Sequence, residues 1–147
     1  MITRGRGLTH PLLWIPFNAP MKTVISTTDA PAAVGPYSQG IAAGPFVFCS
    51  GQIPLEPKTG VLVEGTITLQ TNRVLQNIAA VLRAHGLELG NVVKTTVFLT
   101  NLADFSEMNA AYSNFFPSDP PARSTIQVAA LPKGANVEIE AIALKPS

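Results

Sequence analysis

Two runs rich in β-branched residues close the chain: Pro120-Pro-Ala-Arg-Ser-Thr-Ile-Gln-Val-Ala-Ala-Leu131 and Val137-Glu-Ile-Glu-Ala-Ile-Ala-Leu144. Between them lies Pro132-Lys-Gly-Ala-Asn136, a cluster of turn formers. The pattern predicts two antiparallel strands joined by a turn. Side chains alternate faces along a strand, so Arg123 shares a face with Thr125, Gln127 and Ala129, and Glu138 with Glu140 and Ile142. Only 13% of the residues are charged. An arginine and two glutamates inside apolar runs therefore need a reason, since charges are seldom buried unless paired or functional. If Ala130 faces Val137, then Ala129 faces Glu138 and Arg123 faces Leu144. Arg123 and Glu138 would then share a face but stand roughly 20 Å apart at about 3.3 Å per residue. Either the register is irregular, or a second copy of the chain brings its Arg123 to this Glu138; the second reading is preferred.

At 147 residues the chain suits one domain with a proper core. An apolar content of 46% leaves apolar residues over for contact with another subunit. The net charge of +1 supplies no basic field for nucleic acid. One cysteine, Cys49, excludes an intrachain disulfide and makes a small buried apolar residue. With only His10 and His85, a histidine metal site or a Ser-His-Asp triad has little to build on. Residues 1–20 differ from the rest and are expected to be an N-terminal extension, either vector-derived or translated from an upstream start, ahead of a domain at 21–147. No run reaches the roughly 20 apolar residues of a membrane span, so a soluble, cytoplasmic protein is expected.

In chain order, Lys22–Ser26 reads as an edge strand and Asp29–Pro36 as loop. Tyr37–Ala43 and Phe46–Ser50 read as strands around a Gly44-Pro45 turn. Gly51 allows close approach of the backbone to another group. Thr68–His85 is the strongest helix: Leu75, Ile78, Ala79 and Leu82, with Leu69 a turn back, form an apolar stripe, and Gly86 stops it. Asn91–Leu99 reads as a buried strand. A second helix starts at Asp104, with Asp104 and Glu107 as a capping box, and stacks Phe105, Met108, Tyr112 and Phe115 on one side. The predicted order is three strands, helix, strand, helix, two strands.

Six blocks carry a resemblance: Gly35-Pro-Tyr-Ser-Gln-Gly40, Ser50-Gly-Gln-Ile-Pro54, Val93-Lys-Thr-Thr-Val-Phe98, Phe115-Phe116, Pro121-Ala-Arg-Ser124 and Val137-Glu-Ile-Glu-Ala-Ile-Ala143. In this order and spacing, from about Met21 to Lys145, the sequence resembles the RidA (YjgF) family of imine deaminases. The resemblance implies a single-domain, chorismate-mutase-like α+β fold, a mixed sheet with two helices on one face. It implies a homotrimer with clefts between subunits. It also implies hydrolysis of 2-iminopropanoate and 2-iminobutanoate to 2-oxo acids and ammonia, a detoxification without metal or organic cofactor. By position, Arg123 matches the family's carboxylate-binding arginine and Glu138 the glutamate that handles the attacking water. Tyr37, Ser50, Gly51 and Asn109 match other cleft residues. The family often has a cysteine two residues after the arginine; here it is Thr125, which removes thiol chemistry and keeps the backbone N–H as a binding group.

The residue types suit that chemistry. A guanidinium grips a carboxylate with two parallel hydrogen bonds. A partly buried glutamate has its pKa raised toward a range useful for moving a proton between water and nitrogen. Two other readings stay open. An endoribonuclease or translation inhibitor would want a histidine or lysine pair and a basic groove. A non-catalytic module binding small 2-oxo or amino acids would use the same residues.

Overall fold

Strand β6 (Val137–Leu144) runs through the middle of the molecule and explains its layering. Its alternation is strict: Val137, Ile139, Ala141 and Ala143 are buried, while Glu138, Glu140, Ile142 and Leu144 face the other way. Such a strand gains most from an interior position, with hydrogen bonds on both edges and one face under helices. The computed structural model, which describes residues 21–147, shows that arrangement. The other elements are β1 (Thr23–Ile25), β2 (Gly40–Ala43), β3 (Phe46–Gln52), α1 (Ile67–Arg83), β4 (Val92–Leu99), α2 (Phe105–Ser113) and β5 (Ala122–Gln127). They form one six-stranded sheet in the order β1-β2-β3-β6-β4-β5. All neighbours are antiparallel except β4 and β5. The fold is thus α+β, with a mixed sheet and two helices, as expected. The expected extension at 1–20 lies outside the described residues.

The core lies between the helices and one sheet face. Val74, Leu75, Ile78, Val81 and Leu82 of α1 are fully buried against Val47, Val97, Leu99, Val137 and Ile139. Each such side chain contributes roughly 1.5–3 kcal/mol. Thr66 caps α1 by accepting from the Leu69 amide at 3.3 Å. Beyond the helix, Gly86 at φ 74° permits the Leu87 amide to reach the Leu82 carbonyl (3.0 Å) and its own amide to reach Arg83 (3.0 Å), a Schellman stop.

Several expectations are corrected. The final two strands are not a hairpin. β5 follows α2 and pairs parallel with β4, while residues 128–136 cross the end of β4 and deliver β6 to its opposite edge. Local turn chemistry marked the bend but not the partner, and pairing with both β3 and β4 outweighs pairing at a sheet edge. Leu69 is 51% exposed and does not continue the α1 stripe, because the buried face of the first turns runs through Ile67, Gln70, Thr71 and Val74 and leaves Leu69 to one side. Tyr37–Gln39 belong to the loop; β2 begins at Gly40. Asp104 makes no side-chain cap. Asn101 instead accepts from Ala103 at 2.9 Å, and Glu107 accepts from Thr68 on α1 at 2.8 Å. Of the four residues predicted to stack, Met108 and Tyr112 are buried, whereas Phe105 is 38% exposed.

Candidate active site

Glu138 owes its position to an irregularity in the strand next to it. Cys49 pairs with Ala141 and Gln52 with Ile139, so Ser50 and Gly51 together oppose the single residue Glu140. That is a β-bulge, a device that re-aims side chains and disturbs pairing locally. It presses the Gly51 backbone against the Glu138 carboxylate. A Cβ at Gly51 would overlap Glu138 Oε1 and lie 2.9 Å from its Cδ. The glycine thus does what its sequence position suggested, with Glu138 as the group it approaches. Burial pushes the Glu138 carboxyl above the usual range, and the neighbouring Glu140 pushes it further.

The carboxylate lies in a cleft of about 600 Å³ whose lining includes Tyr37, Ser50, Gly51, Pro132, Lys133 and Glu140. One buried amide builds the far wall. The Gln39 side chain donates to the carbonyls of Thr27 (3.0 Å), Ala30 (3.3 Å) and Pro31 (2.7 Å), and accepts from the Thr27 amide at 2.7 Å. With its polar atoms so matched, Gln39 sits 4% exposed at no desolvation cost. The Ser50 hydroxyl donates to Ser38 at 2.6 Å, tying the bulge to the same loop. Tyr37 is 51% exposed and leans over this wall, its hydroxyl accepting from Val34 at 3.3 Å.

Arg123 is elsewhere. It pairs with Thr95 on β4, whereas Glu138 pairs with Phe98. Thr95 faces the helices and Phe98 does not, so the two candidate catalytic groups point to opposite faces of the sheet. This corrects the shared face expected from a hairpin. Their α-carbons are separated by two strand spacings and three residues along β4, about 10 Å in each direction. The Arg123 guanidinium lies 4.8 Å from the ring centre of Tyr112 and 5.7 Å from that of Phe105. Both distances are within range for cation–π attraction. The Tyr112 hydroxyl is hydrogen-bonded to Thr95 Oγ1 at 2.7 Å in the buried layer beneath. Asn109, between Phe105 and Tyr112 along α2, and Thr125, two residues beyond Arg123, each bury a side-chain oxygen without a hydrogen-bond partner among the described residues.

The structure therefore groups the predicted residues into two halves. Tyr37, Ser50, Gly51 and Glu138 form one, while Arg123, Asn109 and Thr125 form the other. Three contributors escaped the sequence reading: Gln39, whose buried amide is invisible to hydropathy patterns, and the two rings that seat Arg123. Phe105 and Tyr112 stand on the predicted helix face, but helical spacing does not mark that face as a seat for a guanidinium.

The chain is thus an α+β sheet with a partly buried carboxylate cleft on one face and a ring-seated guanidinium on the other. The chain belongs to the Endoribonuclease L-PSP family, the RidA/YjgF group, which it matches over residues 27–145. It is 51% identical over 125 residues to a RutC family protein of Pyrococcus horikoshii, covering 85% of this chain and 99% of that one. It is 48% identical over 128 residues to the 2-iminobutanoate/2-iminopropanoate deaminase of Salmonella typhimurium, covering 85% and 99%. Among solved structures, E. coli TdcF with bound serine superposes with a TM-score of 0.81 at 44% identity, covering 84% of this chain and 99% of that chain. Among the described residues, no helix is long and apolar enough to cross a membrane.

Proposed function

We propose that this protein hydrolyses reactive 2-imino acids such as 2-iminopropanoate and 2-iminobutanoate to 2-oxo acids and ammonia, as a cytoplasmic detoxification. The observation that carries the reading is the Glu138 carboxyl, raised in pKa and wedged against the Gly51 bulge. A group so placed takes a proton from water as the oxygen attacks the C=N carbon. It returns that proton to nitrogen as the C–N bond of the resulting carbinolamine breaks and ammonia leaves, and it takes up the hydroxyl proton as the carbonyl forms. Water supplies the oxygen of the 2-oxo acid, so no redox partner or organic cofactor enters the balance. The Arg123 guanidinium grips the substrate carboxylate with paired hydrogen bonds.

Because Arg123 and Glu138 diverge within one chain, the complete site needs two copies. The uncovered sheet face supplies a reason for association. Phe46, Phe48, Ile126 and Leu144 are all at least 40% exposed there, an apolar patch of the kind that marks a contact site between proteins. In this proposal three copies pack on that face, and each cleft takes Glu138 from one protomer and Arg123 from the next. The deaminase named among the relatives and the serine held by the TdcF neighbour agree with a small amino-acid-like ligand. An endoribonuclease reading is disfavoured by charge: two carboxylates and one lysine line the cleft, the wrong balance for a polyanion.

The test is ammonia release from enzymatically generated 2-aminoacrylate, with sedimentation measured on the same samples. Wild type should accelerate release, and Arg123→Ala should remove the acceleration while the assembly stays intact. Full activity in Arg123→Ala, or an active monomer, would overturn the proposal.

A further inference from the structure

The turn entering β6 carries an oddity that the hydrolytic scheme does not use. Lys133 has φ 57° and ψ 19°, a left-handed conformation that glycine adopts freely and lysine does not. Among the described residues only Asp119 shares positive φ without being glycine. A side chain kept at a strained position beside a cleft points to a role for the side chain itself. Lys133 lines the Glu138 cleft, where it is the one cation beside two carboxylates, Glu138 and Glu140. It pairs with neither: the one ion pair among the described residues joins Arg73 and Glu56. Its ammonium instead donates to the Gly60 carbonyl at 3.3 Å, in the loop that runs out of the cleft residue Leu55. Lys94 stands on the same sheet face in an adjoining hollow that shares Ser50 and Glu140 with the cleft, but its ammonium is bonded to Ser124 at 3.2 Å.

We propose that Lys133 is the substrate-admitting cation of this cleft, whose ammonium, posted at the mouth by the Gly60 carbonyl, draws a small 2-imino or 2-oxo carboxylate past Glu138 and Glu140. The inference rests on the proposed hydrolytic reading for its substrate class. A cleft whose other lining charges are two carboxylates repels a carboxylate, and a weakly held lysine at its mouth offsets that repulsion along the path of entry without neutralising the catalytic glutamate. Arg123 is the anchor of the bound state; Lys133 acts on capture, so its effect belongs in KM and in salt dependence.

The experiment uses the full chain in its native assembly and three variants, Lys133→Gln, Lys133→Arg and Lys133→Gly. Binding of 2-oxobutanoate is measured by calorimetry alongside imine hydrolysis, at low and at high salt. Lys133→Gln should weaken binding and lower kcat/KM on the order of tenfold at low salt, with kcat unchanged and the deficit vanishing at high salt. Lys133→Arg should retain both. Lys133→Gly should show the same capture defect with an equal or higher melting temperature, since it releases the backbone strain. Unchanged 2-oxobutanoate binding in Lys133→Gln, a deficit that persists at high salt, or no binding by wild type would each overturn the assignment. Binding that depends on Lys133 without any ammonia release would uphold it and sink only the hydrolytic reading.

Discussion

Replacing Gly51 by alanine tests the candidate site with one carbon atom. Gly51 is not among the glycines at positive φ, so alanine is not strained by its backbone there. The added Cβ would overlap Glu138 Oε1 and sit 2.9 Å from Cδ and 3.2 Å from Cγ. Carbon atoms rest about 3.5–4.0 Å apart, so the carboxyl carbon must retreat by at least about 0.6 Å and the oxygen by more. The obstacle is the far end of a flexible side chain, which will swing before the strands part. A displacement near 1 Å costs about 10²-fold in rate when a catalytic group depends on its position. Stability should barely change, because a Gly→Ala substitution gains about 0.4–1 kcal/mol from the unfolded state and the displaced glutamate offsets part of that. For a domain this long, 1 kcal/mol is about 2–4 °C in Tm. The assay is ammonia release from 2-aminoacrylate with thermal melting of the same preparation. A Gly51→Ala protein with unchanged Tm and near wild-type kcat would refute the claim that the bulge positions a catalytic carboxylate.

Three further outcomes follow from other contacts. The folded-state pKa of Glu138 is raised by burial first and Glu140 second; its stability contribution is therefore present below the unfolded pKa and is lost as pH rises through the folded value. Glu138→Gln should consequently raise Tm at neutral pH and not at pH about 4, while kcat collapses. Glu140→Gln removes the repulsion and should move the acidic limb of the kcat profile to lower pH, a shift that pH-dependent kinetics reads directly. Tyr112→Phe leaves the buried Thr95 hydroxyl, bonded to it at 2.7 Å, without a partner, and should cost about 1–3 kcal/mol in denaturant unfolding.

Periodicity made most of the elements readable. The i, i+3, i+7 spacing of Leu75, Ile78 and Leu82 marks the α1 face that is buried, and the alternation from Val137 to Leu144 survives residue for residue in β6. What periodicity does not encode is who lies beside whom. Val137–Leu144 would alternate identically as the second strand of a hairpin or as the centre of a sheet; residues far upstream, in β3 and β4, decide. The same limit governs the site. That Glu138 and Glu140 share a face was legible, because both are even-numbered on one strand. Which of them meets Gly51 depends on a bulge that shifts the register by one residue between Cys49 and Gln52, and the sequence offers only a glycine inside a β run as its trace. A hairpin register already separates Arg123 from Glu138 along one face, yet no local pattern says that the chain turns them to opposite faces of the sheet.

That divergence has a physical logic. A guanidinium and a carboxylate close enough to share a small substrate within one rigid chain would find each other first, and a tight ion pair must be broken before a substrate carboxylate can replace it. Here Arg123 rests on Phe105 and Tyr112, faces that orient it without consuming its hydrogen-bond donors. Glu138 rests against a glycine backbone and a second carboxylate, surroundings that keep it basic rather than paired. Each half is thus held ready and unsatisfied by its own fold. In the proposed assembly the two meet across a substrate whose carboxylate and leaving nitrogen occupy the space between them. Splitting the pair between protomers lets the sheet, rather than a salt bridge, set their separation.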